Sequence, residues 1–430
     1  MPFSSLGLSP ALLRAAADEG YTAPTAIQLN AIPAVLQGRD LIASAQTGSG
    51  KTAAFVLPVL QHWAETAAPP SRSPRTSHAL VLVPTRELAA QVAQRFVALA
   101  RHLPQRIKVA TLFGGVSANP QMMALRGGAD IVVATPGRLL DLIGQNALSL
   151  KAVRTLVLDE ADRLLDLGFG DELASILALL PAQRQNLLFS ATFPDAIAQL
   201  AQTHLKDPVR IAVEAAAGST LAITARALQV DAARRTQLLR HLITSEKWSR
   251  VLVFVATKHA AEIVADKLRK AGIEAEPFHG ELSQGKRTQV LRDFKLAAVK
   301  VVIATDVAAR GLDIQALPVV VNYDLPRSAV DYTHRIGRTG RAGEPGLAVS
   351  FVSAGTEAHF RLIEKRHGAP VPREQIAGFE PLELAGGTEG VMAAAQPIDA
   401  QGGIKGLRPG KKDKLREAAR KLAEQTHTDA

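Results

Sequence analysis

Short apolar runs rich in Val, Ile and Leu recur along this chain, and stretches of helical character separate them. In the first half they occupy residues 41–44, 79–83, 108–112, 131–134, 155–158 and 187–189. The second half repeats the style at 251–255, 301–304, 319–322 and 348–352. A strand with one wet face alternates apolar and polar residues, whereas an unbroken apolar run suits a strand covered on both faces. Strands of that kind belong to parallel sheets wrapped by helices. The expected fold is therefore α/β, with two doubly wound parallel-sheet domains in tandem.

A chain of 430 residues is too long for one ordinary core. The periodic pattern gives way between Pro208 and Ala222 to the small, polar stretch Glu214-Ala-Ala-Ala-Gly-Ser-Thr220. This predicts a first domain over 1–212, a flexible linker over 213–221 and a second domain over 222–380. Residues 69–76 read as a surface loop inside the first domain. From 381 to 430 the chain is Gly- and Ala-rich and then basic, with Leu415, Ala418, Ala419 and Leu422 spaced for one amphipathic helix. That tail reads equally as a solvated charged helix and as an RNA-binding segment.

A formal net charge of +10 favours a polyanionic partner, nucleic acid before a membrane surface. The absence of cysteine excludes disulfides, thiolate zinc sites and iron–sulfur clusters. The eleven histidines show no metal-ligand spacing. No apolar run approaches the roughly 20 residues of a membrane span, and residues 1–20 lack a signal-peptide core. The expected location is the cytoplasm.

Two segments carry chemistry. Ala45-Gln-Thr-Gly-Ser-Gly-Lys-Thr52 follows one apolar run and precedes a helical pattern. Its glycines, Gly48 and Gly50, allow backbone N–H groups of Gln46, Thr47 and Ser49 to wrap phosphates at a helix N-terminus. Lys51 would reach the β- and γ-phosphates of ATP, and the Thr52 hydroxyl would ligate Mg²⁺. Leu156-Val-Leu-Asp-Glu-Ala-Asp162 places carboxylates directly after another run. Asp159 suits Mg²⁺, partly through water, and Glu160 is placed to polarise an attacking water. Alone, that tetrapeptide is as often an ordinary acidic helix start as a functional site; the phosphate loop decides for function.

Together these segments resemble the DEAD-box ATP-dependent RNA helicases, and the resemblance extends to about residue 380. Gly20-Tyr-Thr-Ala-Pro-Thr-Ala-Ile-Gln28 is similar to the family's adenine-reading segment. The resemblance implies that Gln28 reads the base edge, with Tyr21 nearby and Phe3 stacking on the ring. Pro84-Thr-Arg-Glu-Leu88, Gly114-Gly115 and Thr135-Pro-Gly-Arg138 resemble RNA-contacting motifs, which implies RNA binding by Pro84, Thr85, Arg86, Gly115, Thr135, Gly137 and Arg138. Gln284-Gly-Lys-Arg287 and Ala304-Thr-Asp306 resemble two more, through Arg287 and Thr305. Ser190-Ala-Thr192 resembles the motif that couples hydrolysis to unwinding, together with Asp162 and His334. Arg310-Gly-Leu-Asp313 implies a ribose contact by Asp313. His334-Arg-Ile-Gly-Arg-Thr-Gly-Arg341 implies that Arg338 and Arg341 act on the γ-phosphate. Ile363-Glu-Lys and Gly378-Phe-Glu-Pro381 look most like the bacterial RhlE-type branch.

The resemblance implies two RecA-like domains that close on ATP and a single RNA strand, in a monomer serving ribosomal or RNA-decay assemblies. Two other readings stay open. One is an ATP-gated RNA clamp or annealing chaperone with little unwinding. The other is a DNA translocase of the same superfamily, against which the DEAD tetrapeptide and the Gln28 segment argue.

Overall fold

The computed structural model describes residues 2–45, 49–66, 75–213, 223–309, 317–340 and 345–382. The chain separates into one unit over 1–383 and another over 384–430. The second unit, with the helix expected in the tail, lies outside the described residues. So do residues 69–74 of the expected loop, 214–221 of the expected linker, and the site candidates Gln46, Thr47, Gly48, Asp313 and Arg341.

The first sheet contains β1 (Leu41–Ser44), β2 (Ala79–Leu82), β3 (Val109–Leu112), β4 (Ile131–Ala134), β5 (Thr155–Leu158), β6 (Gln185–Ser190) and β7 (Val209–Ala212). The second contains β8 (Ile223–Gln229), β9 (Val251–Val255), β10 (Ala275–Phe278), β11 (Val301–Thr305), β12 (Val319–Asn322), β13 (Gly346–Val352) and β14 (Arg373–Glu374). The spatial orders are β3-β4-β2-β5-β6-β1-β7 and β10-β11-β9-β12-β13-β8-β14, and every pair is parallel. Subtracting seven from each label of the second sheet gives the order of the first. The two tandem RecA-like domains therefore share one topology.

Burial on both sheet faces explains the apolar runs. Along β2, Ala79 and Val81 enter one core while Leu80 and Leu82 enter the other. Along β9, Val251, Val253 and Val255 face one core and Leu252 and Phe254 the opposite one. Four strands escaped the sequence pattern, and each has a reason. β7, β10 and β14 are sheet edges, where one ladder partner suffices and polar residues are tolerated. β10 even contains Pro277, whose missing N–H an edge can accommodate. β8 is flanked by the two-residue β14 and carries Thr224 and Arg226.

Asp40, just before β1, ties three segments together. It is 6% exposed, and its carboxylate accepts from Asn186 N at 2.7 Å, Asn186 Nδ2 at 3.2 Å and Lys206 N at 2.7 Å. Asp40→Ala strands two backbone donors, so it should destabilise the first domain by about 3 kcal/mol. Urea unfolding of the full chain would read this as an earlier first transition; an unchanged midpoint would contradict it.

Candidate functional site

β6 pairs with both β1 and β5, setting Ser44 opposite Ser190 and Leu158 opposite Leu188. The segments that leave these three strands therefore open at one place. Ala45 N donates to the Ser190 carbonyl at 3.1 Å. Lys51 begins the helix Lys51–Thr66 and is buried, with Nζ donating to the Ala45 carbonyl at 2.9 Å. The cation thus closes the loop on itself. Gly50 has φ +96°, and a Cβ there would lie 2.5 Å from Gln28 Nε2 and 2.9 Å from Thr25 Oγ1. Only glycine meets both demands.

Gln28, 1% exposed, is the reason for that crowding. Its Nε2 donates to the Gly50 carbonyl at 3.2 Å, and its Oε1 accepts from Thr25 N at 2.9 Å. One amide therefore binds the helix Ala26–Leu36 to the phosphate loop. Phe3 is buried in the core, 6.2 Å from the Tyr21 ring centroid.

Across the loop, Asp159 is 3% exposed and accepts from Glu160 N at 3.0 Å. Burial pushes its carboxyl up to about 6, Lys51 pulls it down and Glu160 raises it further. Glu160 has φ 50° and ψ 51°, a left-handed backbone that costs a non-glycine residue energy and is held here by the strand-to-helix turn. Asp162 accepts from Thr192 N at 2.9 Å and Thr192 Oγ1 at 2.8 Å. Ser190 Oγ donates to the Thr192 carbonyl at 2.6 Å, which shapes that turn.

The second sheet's domain meets this site. Arg163 reaches Asp331 and the Nδ1 of His334, both on the helix Ala329–Ile336. His334, expected to act with Asp162, thus contacts the neighbouring arginine. Arg335 is 3% exposed and fully engaged: Nε and Nη2 donate to Asp306 at 2.6 Å each, and Nη1 to Asn322 Oδ1 at 3.1 Å and the Asp324 carbonyl at 2.6 Å. It braces the domain. Arg338, two residues past the helix, is 9% exposed.

A cleft of about 600 Å³ is lined by residues of both domains. The first domain lines it with Pro84, Thr85, Arg86, Gly115, Thr135, Gly137 and Arg138, and the second with Gly280, Arg287, Val307 and Ala308. Thr85 caps the helix Arg86–Leu99 through Leu88 N at 3.3 Å, and Arg86 Nη1 donates to the Gly114 carbonyl at 3.5 Å. Arg138 Nη2 donates to the Val116 carbonyl at 2.8 Å. Arg287 pairs with Glu87 across the domains at 2.9 Å, both side chains buried. Burial pulls the Arg287 guanidinium down from its usual range and Glu87 opposes that. Thr305 ends β11, immediately before the helix Asp306–Ala309 that supplies Val307 and Ala308.

A model of the DEAD/DEAH box helicases matches residues 25–200, and one of the helicase conserved C-terminal domain matches 234–343. The ATP-dependent rRNA helicase rrp3 of Botryotinia fuckeliana is 41% identical over 386 residues, 88% of this chain and 78% of that protein. The chain belongs to the DEAD-box helicase family. The DEAD-box ATP-dependent RNA helicase CshA of Bacillus cereus is 39% identical over 387 residues, covering 88% and 72% of the two chains. Among solved structures, S. cerevisiae Dbp5 bound to RNA and ADP BeF3 superposes with TM-score 0.76 at 32% identity, covering 87% of this chain and 95% of that one. Mss116p bound to ssRNA and AMP-PNP gives TM-score 0.78 at 27% identity, covering 87% and 80%.

Several residues of this DEAD-box site gave no signal in the sequence. Leu167 and Phe169 line the cleft from the segment after Asp162, yet they sit in an ordinary apolar pattern. Arg163 and Asp331 meet only through the tertiary fold, 168 residues apart. Gly50→Ala should weaken nucleotide binding about tenfold while the fold persists, since the added methyl displaces Gln28. Titration with a fluorescent ATP analogue would test this, and wild-type affinity would refute the Gln28–Gly50 coupling.

Proposed function

We propose that this chain couples ATP hydrolysis to local, non-processive parting of RNA duplexes, in the RhlE-type branch of the DEAD-box family. The observation that carries the reading is the cleft lined from both domains. ATP would lie on Lys51 and the backbone N–H groups of the phosphate loop, with Gln28 at its base. RNA phosphates would lie along Thr85, Arg86, Thr135, Arg138 and Arg287; contacts of that type carry little sequence information. Arg338, Arg341 and Asp313 of the second domain complete the nucleotide site when residues 1–212 and 222–380 close about the linker. A track that fits only a bent single strand favours one state of the RNA, and binding energy then parts the duplex. The Gly378-Phe-Glu-Pro381 segment supports the RhlE-type placement. A monomer working in the cytoplasm on ribosomal or RNA-decay assemblies fits this reading.

The donor set at Asp159 and Thr52 fits Mg²⁺. Both offer hard oxygens, and the buried Asp159 carboxylate, raised by desolvation, gains from a cation beside it. Mg²⁺, when bound, neutralises charge on the β- and γ-phosphates. Glu160 then orients the attacking water, and Arg338 stabilises charge that develops in the transition state. No helix of the described residues is long and apolar enough to cross a membrane.

RNA should stimulate ATP hydrolysis strongly and DNA weakly, and Lys51→Ala should abolish turnover. Equal stimulation by both polymers would favour the DNA translocase. Strand displacement that fails while hydrolysis proceeds would favour the RNA clamp.

A pH test follows from Asp159. Its folded carboxyl titrates at about 6, so below that pH it must release a proton to meet Mg²⁺. Mg·ADP affinity should fall as pH drops from about 7 through 6, and more steeply in the wild type than in Asp159→Asn, which retains only the titration of the nucleotide phosphate. Calorimetry in two buffers at pH 5.5 should show more proton release in the wild type than in Asp159→Asn; equal release would argue against Asp159 as the metal-side carboxylate.

A further inference from the structure

Arg163, directly after Asp162, joins the first domain to a helix of the second, and neither its sequence position nor the motifs give it a role. Its side chain is 6% exposed. Nη1 donates to Asp331 Oδ1 at 3.1 Å and to Asp166 Oδ2 at 3.1 Å, and Nη2 donates to Nδ1 of His334. A guanidinium can only donate, so the His334 ring nitrogen that faces it accepts. The carboxylate it faces is prepared for the contact: Ser328 Oγ donates to Asp331 Oδ2 at 2.9 Å, leaving Oδ1 for Arg163. Asp331 and His334 lie one turn apart on the helix Ala329–Ile336, so one guanidinium holds that helix at two points.

The backbone of Arg163 connects the other way. Arg163 N donates to Asp162 Oδ1 at 3.0 Å, and Asp162 Oδ2 receives both donors of Thr192. A chain of contacts thus runs from Thr192 through Asp162 and Arg163 to the helix that ends just before Arg338. We propose that Arg163 is a positioning residue: its clasp on Asp331 and His334 sets the alignment of Arg338 when the domains close. This rests on the reading of the site as an RNA-stimulated ATPase. Opening returns both charges to water, and buried ion pairs give little net stability after desolvation. The clasp therefore selects geometry more than it adds affinity. Removing the arginine leaves Asp331 half-enclosed without its cation in the closed state, so closure suffers and nucleotide binding to the first domain does not.

The test uses the full chain, with kcat and KM for ATP measured at saturating RNA. Arg163→Met keeps the stem in its buried place and should lower kcat about tenfold, with ADP affinity in the absence of RNA unchanged. Arg163→Glu and Asp331→Arg should each lose activity, and the double variant should regain most of it. Where the charge-swapped chains fail to fold, the cycle of Arg163→Met with Asp331→Asn replaces them and should be strongly non-additive. Asp166→Asn should behave as wild type, because Asp166 is half-exposed and lies in the same helix as Arg163. Additive losses, wild-type kcat in Arg163→Met, or an equal loss in Asp166→Asn would each overturn the clasp. A wild-type chain that RNA does not stimulate would instead overturn the underlying reading, and the clasp with it.

Discussion

A parallel sheet can bring each strand back only through a crossover packed on its face, so every loop that leaves a strand's C-terminal end gathers at one edge. That constraint organises both halves of this molecule. In the first sheet, the ends of β1, β5 and β6 carry Lys51, Asp159, Glu160 and Ser190. The ends of β2, β3 and β4 carry Thr85, Gly115 and Thr135. The second sheet has the same strand order, and its residues in the cleft follow β10 and β11, the strands that correspond to β3 and β4. The cleft thus draws on the same side of each sheet. On the other side the copies differ. Where the first has a glycine loop and a lysine, the second has Arg235 paired with Asp324 at 2.8 Å and donating to Ser353 Oγ at 3.3 Å. At the corresponding place the second copy is tied by its own ion pair.

Charges buried in these two edges fall into two kinds. Arg335 is surrounded within one domain by two oxygens of Asp306, an amide oxygen and a carbonyl, and its ring contact with Phe254 covers the remaining face. Such a group is satisfied whatever the domains do. Arg287 and Glu87, by contrast, find each other only across the cleft, and Arg287 Nε has no partner there. Desolvation offsets much of the attraction in a pair of this type. A contact that is geometrically strict and energetically modest suits a surface that must form and release repeatedly. The unpartnered Nε leaves Arg287 less fully satisfied than the internally saturated Arg335.

The sequence made the central strands legible because burial on both faces leaves no choice but apolar residues. It was silent on β7, β10 and β14, where an edge relaxes that demand, and on β8 beside the shortest edge. The same division holds at the site. Residues whose chemistry is local, such as Lys51 in its glycine loop or Asp159 at a strand end, stand out in a short window. Arg163 looks like any basic residue on an acidic helix start, and Glu87 like a helix-capping acid; each acquires its partner only when the second sheet arrives. Arg335 shows the reverse case, in which a residue inside a conspicuous motif proves to brace the fold.

Gln28 illustrates how one buried amide ties two segments of the first domain together. A glutamine amide has two N–H donors and two acceptor lone pairs. The Gly50 carbonyl takes one donor and Thr25 N takes one lone pair. What remains is one donor and one acceptor on a side chain already fixed in place, which is the complement a purine edge bearing an amine and a ring nitrogen requires. The same hydrogen bond that orients the amide fixes the carbonyl of Gly50, and Gly50 can approach so closely only because it has no side chain. The placement of the helix Ala26–Leu36 and the backbone at Gly50 thus rest on one contact, made by a residue 22 positions before that glycine.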